Sequence, residues 1–144
     1  MRPCRYSIAE LLPHRPPMLL LDAVESVGDD CLVATVTISA ESVFAEHDGV
    51  PAHIGLEYMA QACGALAGWL ALEAGEPVRI GFLMGARSMS IQRQWFAVGE
   101  RLTVSAVLVY RDEVTAAMSA RIEIGGERVA EAQLSGYLPP HSGT

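Results

Sequence analysis

The stretch that most constrains the fold is "YMAQACGALAGWLALEAG", from Tyr58 to Gly75. It reads as a helix that is apolar almost all round, and such a helix has to be covered on nearly every side. The apolar run from Tyr58 to Leu72 falls short of the ~20 residues needed to cross a bilayer. Gln61 and two glycines weaken a membrane reading further. The rest of the chain must therefore wrap it. The helix is expected to begin near Pro51, where proline is tolerated in the first turn. It is expected to stop at Gly75, with Pro77 beyond. Gly64 and Gly68 each cost roughly 1 kcal/mol of helix propensity against alanine, which points to close approach of another backbone.

Strands are the natural wrapper. Ser7 and Glu10 have the spacing of a capping box around a short helix, "IAELL", which Pro13 ends. "MLLLDAVESV" and "CLVATVTIS" read as strands joined by a "GDD" turn. After the long helix, "VRIGFLMGARSMSI" reads as a long strand bent at Gly85, and "RLTVSAVLVY" follows the turn "AVGE". Val114, Ala116, Met118, Ala120, Ile122 and Ile124 then alternate with Thr115, Ala117, Ser119, Arg121 and Glu123, the dry and wet faces of an antiparallel strand. Gly125-Gly126 predicts a tight hairpin into "ERVAEAQLSGYL", and the tail "LPPHSGT" is expected to be loose. This order predicts an α+β fold in which one curved antiparallel sheet wraps one helix, with residues 1–144 as a single domain.

Charge and cysteine usage narrow the function. A net charge of −7 argues against nucleic acid or an anionic membrane as the main partner. All ten basic residues are arginine, so lysine Schiff-base chemistry is excluded. Cys4, Cys31 and Cys63 are widely separated, with no zinc-type spacing, and "MRPCRYSIAELLPHRPP" lacks the apolar core of a signal peptide. Reduced thiols in a cytoplasm are the expectation, with Cys63 a small buried residue.

"HDGVPAHIGLEYMAQ" puts His53, Glu57 and Gln61 at every fourth position, on one face of the coming helix. This segment also carries a resemblance. "GLEYMAQ", together with "LLPHRPPMLLLD" (11–22) and "IGFLMGARSMSIQRQWFAVGERLTV" (80–104), resembles 3-hydroxyacyl-acyl carrier protein dehydratases in content and order. The variant "GVPAHIGLEYMAQ" is similar to a branch associated with aryl-polyene-type biosynthesis. The resemblance implies the hot-dog fold, a homodimer or a multiple of dimers, acyl carrier protein as partner, and no metal or cofactor. It maps the family's histidine to His47 through "VFAEH" and the family's carboxylate to Glu57. The sequence departs from the housekeeping pattern in three places: the loop after His47 is shorter, Ala52 replaces the helix-entry glycine, and His53 stands where the family has an apolar residue or cysteine.

Dehydration needs a base near C2 and an acid near the C3 hydroxyl. Burial disfavours a charged carboxyl, so Glu57 on a buried helix could hold a proton and donate it to the leaving hydroxyl. His47 is the expected base. The N–H groups of the helix start, around Ala52, could polarise the thioester carbonyl. His53 and Gln61 are expected beside the substrate, Gln61 also as the partner holding Glu57. Arg87 and Arg93 are expected to face the acidic carrier. Plainer roles stay open at this stage: Glu57 neutralised by an arginine across an interface, His47 merely solvated, His53 bonded to Glu57, and the two arginines on a solvated strand face. His14 is expected to be structural. A hot-dog thioesterase, with Glu57 activating water, and a non-catalytic subunit paired with an active homologue are the competing functions.

Overall fold

The structure, a computed structural model, describes residues 1–78 and 82–137. For Phe82–Met84 only the backbone is described. Part of the strand expected to start at Val78, and the tail from Leu138 on, lie outside the described residues.

Local signals set most of the elements. Helix α1 (Ile8–Leu11) opens with the expected capping box: the Ser7 side chain accepts the Glu10 N–H, and the Glu10 carboxylate accepts the Ser7 N–H at 2.9 Å. Strands β1 (Ala23–Val27) and β2 (Cys31–Thr37) form a hairpin whose turn is closed by the Gly28 N–H on the Cys31 carbonyl. The central helix α2 covers Gly55–Glu73 and is entered through a 3-10 turn at Ala52–Ile54. Gly75, at φ +75°, ends it. There the Glu76 N–H reaches the Ala71 carbonyl and the Gly75 N–H reaches that of Leu72, a Schellman motif.

Strands β4 (Phe82–Ile91), β6 (Arg101–Arg111), β7 (Thr115–Ile124) and β8 (Glu127–Tyr137) join β1 and β2 in one antiparallel sheet, ordered β1-β2-β6-β7-β8-β4. The β4–β8 register slips around Gly85, where a bend was expected, and again between Arg87 and Ser90. Gly125 and Gly126 both take positive φ in the β7–β8 hairpin, as a primed turn requires. On β7, Met118, Ala120 and Ile122 are buried and Arg121 is exposed, the alternation read from the sequence.

Two expectations need correction. Met18–Leu21 do not belong to the first strand: they form an extended strap over α2, and the ladder begins with the Asp22 N–H on the Thr35 carbonyl. A second, two-stranded sheet of β3 (Gly49–Pro51) and β5 (Trp95–Ala97) stands at the helix entry, so Pro51 ends a strand rather than starting the helix. Three-residue strands carry too little alternation to be seen in a sequence.

The core lies between α2 and the concave sheet face. Tyr58, Met59, Ala62, Ala65, Leu66 and Trp69 from the helix meet Leu32, Ala34, Leu102, Val104, Ala106 and Ile122. Behind the helix lies α1, and here the glycines explain themselves. A Cβ on Gly68 would sit 2.1 Å from the Leu11 carbonyl oxygen, and one on Gly64 would sit 3.0 Å from the Leu12 side chain. At Gly68→Ala the clash with the Leu11 backbone puts overpacking at the upper end of the usual range, ~3 kcal/mol, so after the ~1 kcal/mol gained in helix propensity the variant should lose about 2 kcal/mol of stability. Gly85→Ala, whose Cβ would meet nothing within 4 Å among the described residues, should stay within ~0.5 kcal/mol of the parent. Denaturant melts of both variants make the comparison; equal midpoints would show that α1 moves aside freely.

Candidate active site

The approach to α2 is built by the β3–β5 pair. Val50 pairs with Phe96 and Pro51 with Trp95. Gly49 is obligatory, because a Cβ there would lie 2.0 Å from the Phe96 carbonyl oxygen. Just before it, the Glu46 N–H donates to the Gly49 carbonyl at 2.7 Å and the Gly49 N–H returns to that of Glu46 at 3.3 Å. His47 and Asp48 form the tip of this two-residue turn. The Asp48 carbonyl is held by the Val98 N–H, and the His47 side chain is exposed. A tight turn thus displays His47 to solvent. No hydrogen bond joins it to Glu57 within the protomer.

Ala52 is buried, and its N–H donates to the Gln94 carbonyl at 2.9 Å. That donor is taken by the fold and cannot polarise a thioester, which corrects the expectation for Ala52. His53 is exposed on the 3-10 turn, and its side chain makes no hydrogen bond to Glu57 despite the four-residue spacing. The i, i+4 pair fails because residue 53 precedes the α-helix, so the two do not share a regular helix face.

Glu57 lies in the first turn of α2, and its residue is half-buried. Gln61, one turn on, is 1% exposed and fully bonded. Its Oε1 accepts the Leu20 N–H at 2.9 Å, and its Nε2 donates to the Met18 carbonyl at 2.8 Å and to Glu57 Oε1 at 3.3 Å. Gln61 therefore holds Glu57, as expected. Its grip on the strap was not foreseen. The available signal was the burial of the amide: one carboxylate cannot satisfy both of its ends.

The two arginines differ. Arg93 Nη2 reaches both Glu100 carboxylate oxygens, at 2.5 and 2.7 Å, and Glu100 Oε1 also accepts the Ala97 N–H. Desolvation would push the Glu100 carboxyl up, but the bonds from Arg93 and Ala97 and the arginine's charge hold it below its ordinary value. Arg93 therefore braces the β5–β6 turn. Arg87 is exposed on β4, and none of the ion pairs among the described residues involves it. His14 is half-buried near the strap, with Nδ1 lacking a hydrogen-bond partner. A cleft of about 30 Å³ at the other end of α2, lined by Ala67, Gly68, Ala71, Arg111, Ala116 and Met118 among others, contains none of these residues. Among the described residues no cluster of three or more His, Cys, Asp or Glu side chains could hold a metal ion. No helix there is long and apolar enough to cross a membrane.

A carboxylate at the start of a wrapped helix, braced by an amide one turn on, can serve proton transfer. Comparison with known proteins selects the chemistry. The model of the ApeP-like family, described as ApeP dehydratase, matches residues 6–144. The chain belongs to the ApeP-like dehydratase family. It is 32% identical over 136 residues to the 3-hydroxyacyl-[acyl-carrier-protein] dehydratase FabZ of Streptococcus pneumoniae, covering 89% of this chain and 92% of that one. Among solved structures, the dehydratase heterocomplex ApeI:P from Xenorhabdus doucetiae superposes with a TM-score of 0.88 at 28% identity, over 96% of this chain and 95% of that one. A hypothetical thioesterase from Streptococcus pneumoniae TIGR4, solved with coenzyme A, gives a TM-score of 0.65 at 16% identity over 82% and 85% of the chains, a likeness of fold alone. The fold is the hot-dog fold, and this ApeP-like chain is a dehydratase, a lyase.

Cys63, on α2 two residues beyond Gln61, is no nucleophile. It is 9% exposed, and burial pushes its thiol up to about 12. In the native protein at pH 8 a thiol reagent should modify the half-buried Cys4 and Cys31 and leave Cys63 untouched, while the denatured chain should yield all three. Native labelling of Cys63 as fast as Cys31, read by peptide mass mapping, would contradict the packing of α2 described above.

Proposed function

We propose that this chain removes water from a 3-hydroxyacyl thioester carried on acyl carrier protein, giving the trans-2-enoyl thioester. The base takes the C2 proton, the C2–H electron pair forms the C2=C3 bond, and the C3 hydroxyl leaves with a proton from the acid. Glu57 is the acid and His47 of a second protomer is the base. The observation that carries this reading is the Glu57–Gln61 pair at the entry of α2, in a chain of a dehydratase family whose FabZ relative acts on acyl carrier protein substrates by name.

Several features favour assembly from two chains. Arg2 pairs with Val27 along the outer edge of β1, which blunts it. No described strand covers the outer edge of the ten-residue β4, and an open edge of that length invites another strand. Glu57 is only half-buried, and His47 is exposed at the tip of its turn. A second protomer on the β4 edge would complete both. His53, on the same turn of chain that leads to Glu57, suits contact with the acyl group rather than proton abstraction. Beyond Ala52, the remaining N–H groups of the 3-10 turn that leads into α2 are the candidate donors for the thioester carbonyl, since the Gly55 N–H is taken by the Ala52 and His53 carbonyls. Of the two arginines expected at the carrier, Arg87 is the better candidate, because Arg93 is already neutralised by Glu100.

A second reading has its own support: the ApeI:P structure is a heterocomplex. On that reading the β4 edge meets a different hot-dog chain, which contributes the other half of the site.

Glu57→Gln should keep the melting curve and abolish dehydration, since the amide preserves shape and removes the proton donor. His47→Ala should lose ~10²-fold or more in rate, and His53→Ala less. Mixing Glu57→Gln with His47→Ala chains should restore part of the activity, because a mixed dimer has one intact site. Loss of water from a 3-hydroxyacyl carrier-protein thioester, followed by mass, reads all of these; a dead His53→Ala beside an active His47→Ala would reassign the base.

Light scattering of the purified chain should give a dimer or a multiple of dimers at micromolar concentration. A monodisperse, inactive monomer that gains activity only with a second hot-dog chain would establish the heterocomplex instead.

A further inference from the structure

The "LPHRPP" motif supplies no group to the site, yet Arg15 within it stands at the head of a hydrogen-bond chain that ends on Glu57. Arg15 lies at the surface, but its guanidinium faces the backbone. Nη1 alone reaches three carbonyl oxygens, those of Ala9 at 3.2 Å, Leu12 at 2.9 Å and His14 at 2.7 Å. Two of these are at the open carbonyl end of α1, which has no partners of its own. The Arg15 carbonyl in turn accepts the Met18 N–H at 2.9 Å, closing the turn across Pro16-Pro17. Met18 and Leu20 then grip the two ends of the Gln61 amide.

That grip has a direction. The Leu20 N–H can meet only the amide oxygen, and the Met18 carbonyl can meet only the NH2 group. A flipped amide would set donor against donor and acceptor against acceptor in a buried site, so the strap allows one orientation. In that orientation the second Nε2 hydrogen points at Glu57 Oε1. Nε2 has only hydrogens to offer, so Oε1 must act as the acceptor. A proton on Glu57 then belongs on Oε2, the oxygen left free for a substrate hydroxyl.

We infer that Arg15 is a positioning residue for the elimination: it holds the turn at residues 15–18, the strap orients the Gln61 amide, and the amide reserves Glu57 Oε2 for the transferable proton. The inference rests on Glu57 being the acid, and it deepens that assignment.

The test compares Arg15→Ala with Arg15→Lys in the full-length protein. All three carbonyls are reached from one nitrogen, so an ammonium with three N–H donors can replace that contact where a methyl cannot. Arg15→Ala should lower kcat about tenfold with KM within about twofold, the pattern of an interaction made in the transition state. Arg15→Lys should recover at least about half of kcat. Hydrogen exchange of the Gln61 side-chain NH2 group, assigned in a 1H–15N spectrum by its loss in Gln61→Met, should accelerate about tenfold or more in Arg15→Ala and return towards the parent rate in Arg15→Lys. Unchanged Gln61 exchange in folded Arg15→Ala, or an unchanged kcat, overturns the inference while leaving the dehydratase reading intact. If the parent protein removes no water from any substrate, that reading fails, and the exchange rates still decide whether Arg15 controls the amide.

Discussion

A buried amide must find partners for all of its polar atoms, and the way Gln61 does so organises the site. An unpaired amide group in a core costs on the order of 1–3 kcal/mol. Gln61 avoids that cost by recruiting the backbone of Met18 and Leu20, which draws residues 18–21 off the sheet and lays them across α2. Its remaining donor is directed at Glu57. One side chain thus joins the strap, the helix and the carboxylate, and a shift in any of them is felt by the other two.

The fold was legible wherever a signal was local. The Ser7/Glu10 capping box, the Gly125-Gly126 hairpin, the alternation along β7 and the glycine stop at Gly75 each rest on a few neighbouring residues. The close backbone approach at Gly68 was also readable, since a glycine in a helix otherwise so apolar has no local excuse. Distant partners were not readable. "MLLLD" has the composition of a strand and becomes a strap because of an amide some forty residues away. Arg93 looked as free as Arg87 until Glu100 folded back onto it across the β5–β6 turn. Within the candidate site, the Glu57–Gln61 pairing followed from helix periodicity, whereas the exposure of His47 depends on a turn closed by β3 and β5, too short to leave a pattern.

The charge distribution bears on partners. The chain carries −7, so an acidic partner must be met by a local positive group. Many of the arginines are engaged: Arg2, Arg5, Arg93, Arg101, Arg121 and Arg128 pair with carboxylates, and Arg15 with carbonyls. Most of these pairs are exposed and add little stability, but each lowers the positive potential available to a visitor. Arg87 stands outside that set, on the edge strand β4. On the proposed reading, this charge on the edge strand is the positive group that an acidic carrier would meet.

The helix α2 reconciles demands that normally conflict. Packing wants it apolar and tightly enclosed, while proton transfer wants a carboxylate with controlled access to substrate. The conflict is resolved by position. Beyond Gln61 the helix is buried against the sheet and, through Gly64 and Gly68, against α1. Glu57 stands in the first turn, where the β3–β5 pair ends and a single protomer leaves it half-covered. Gln61 sits at the boundary, buried with the core yet bonded to the site. The enclosed part of the helix therefore fixes the geometry of its first turn, and on the proposed assignment of Glu57 that half-covered turn is where substrate would be enclosed.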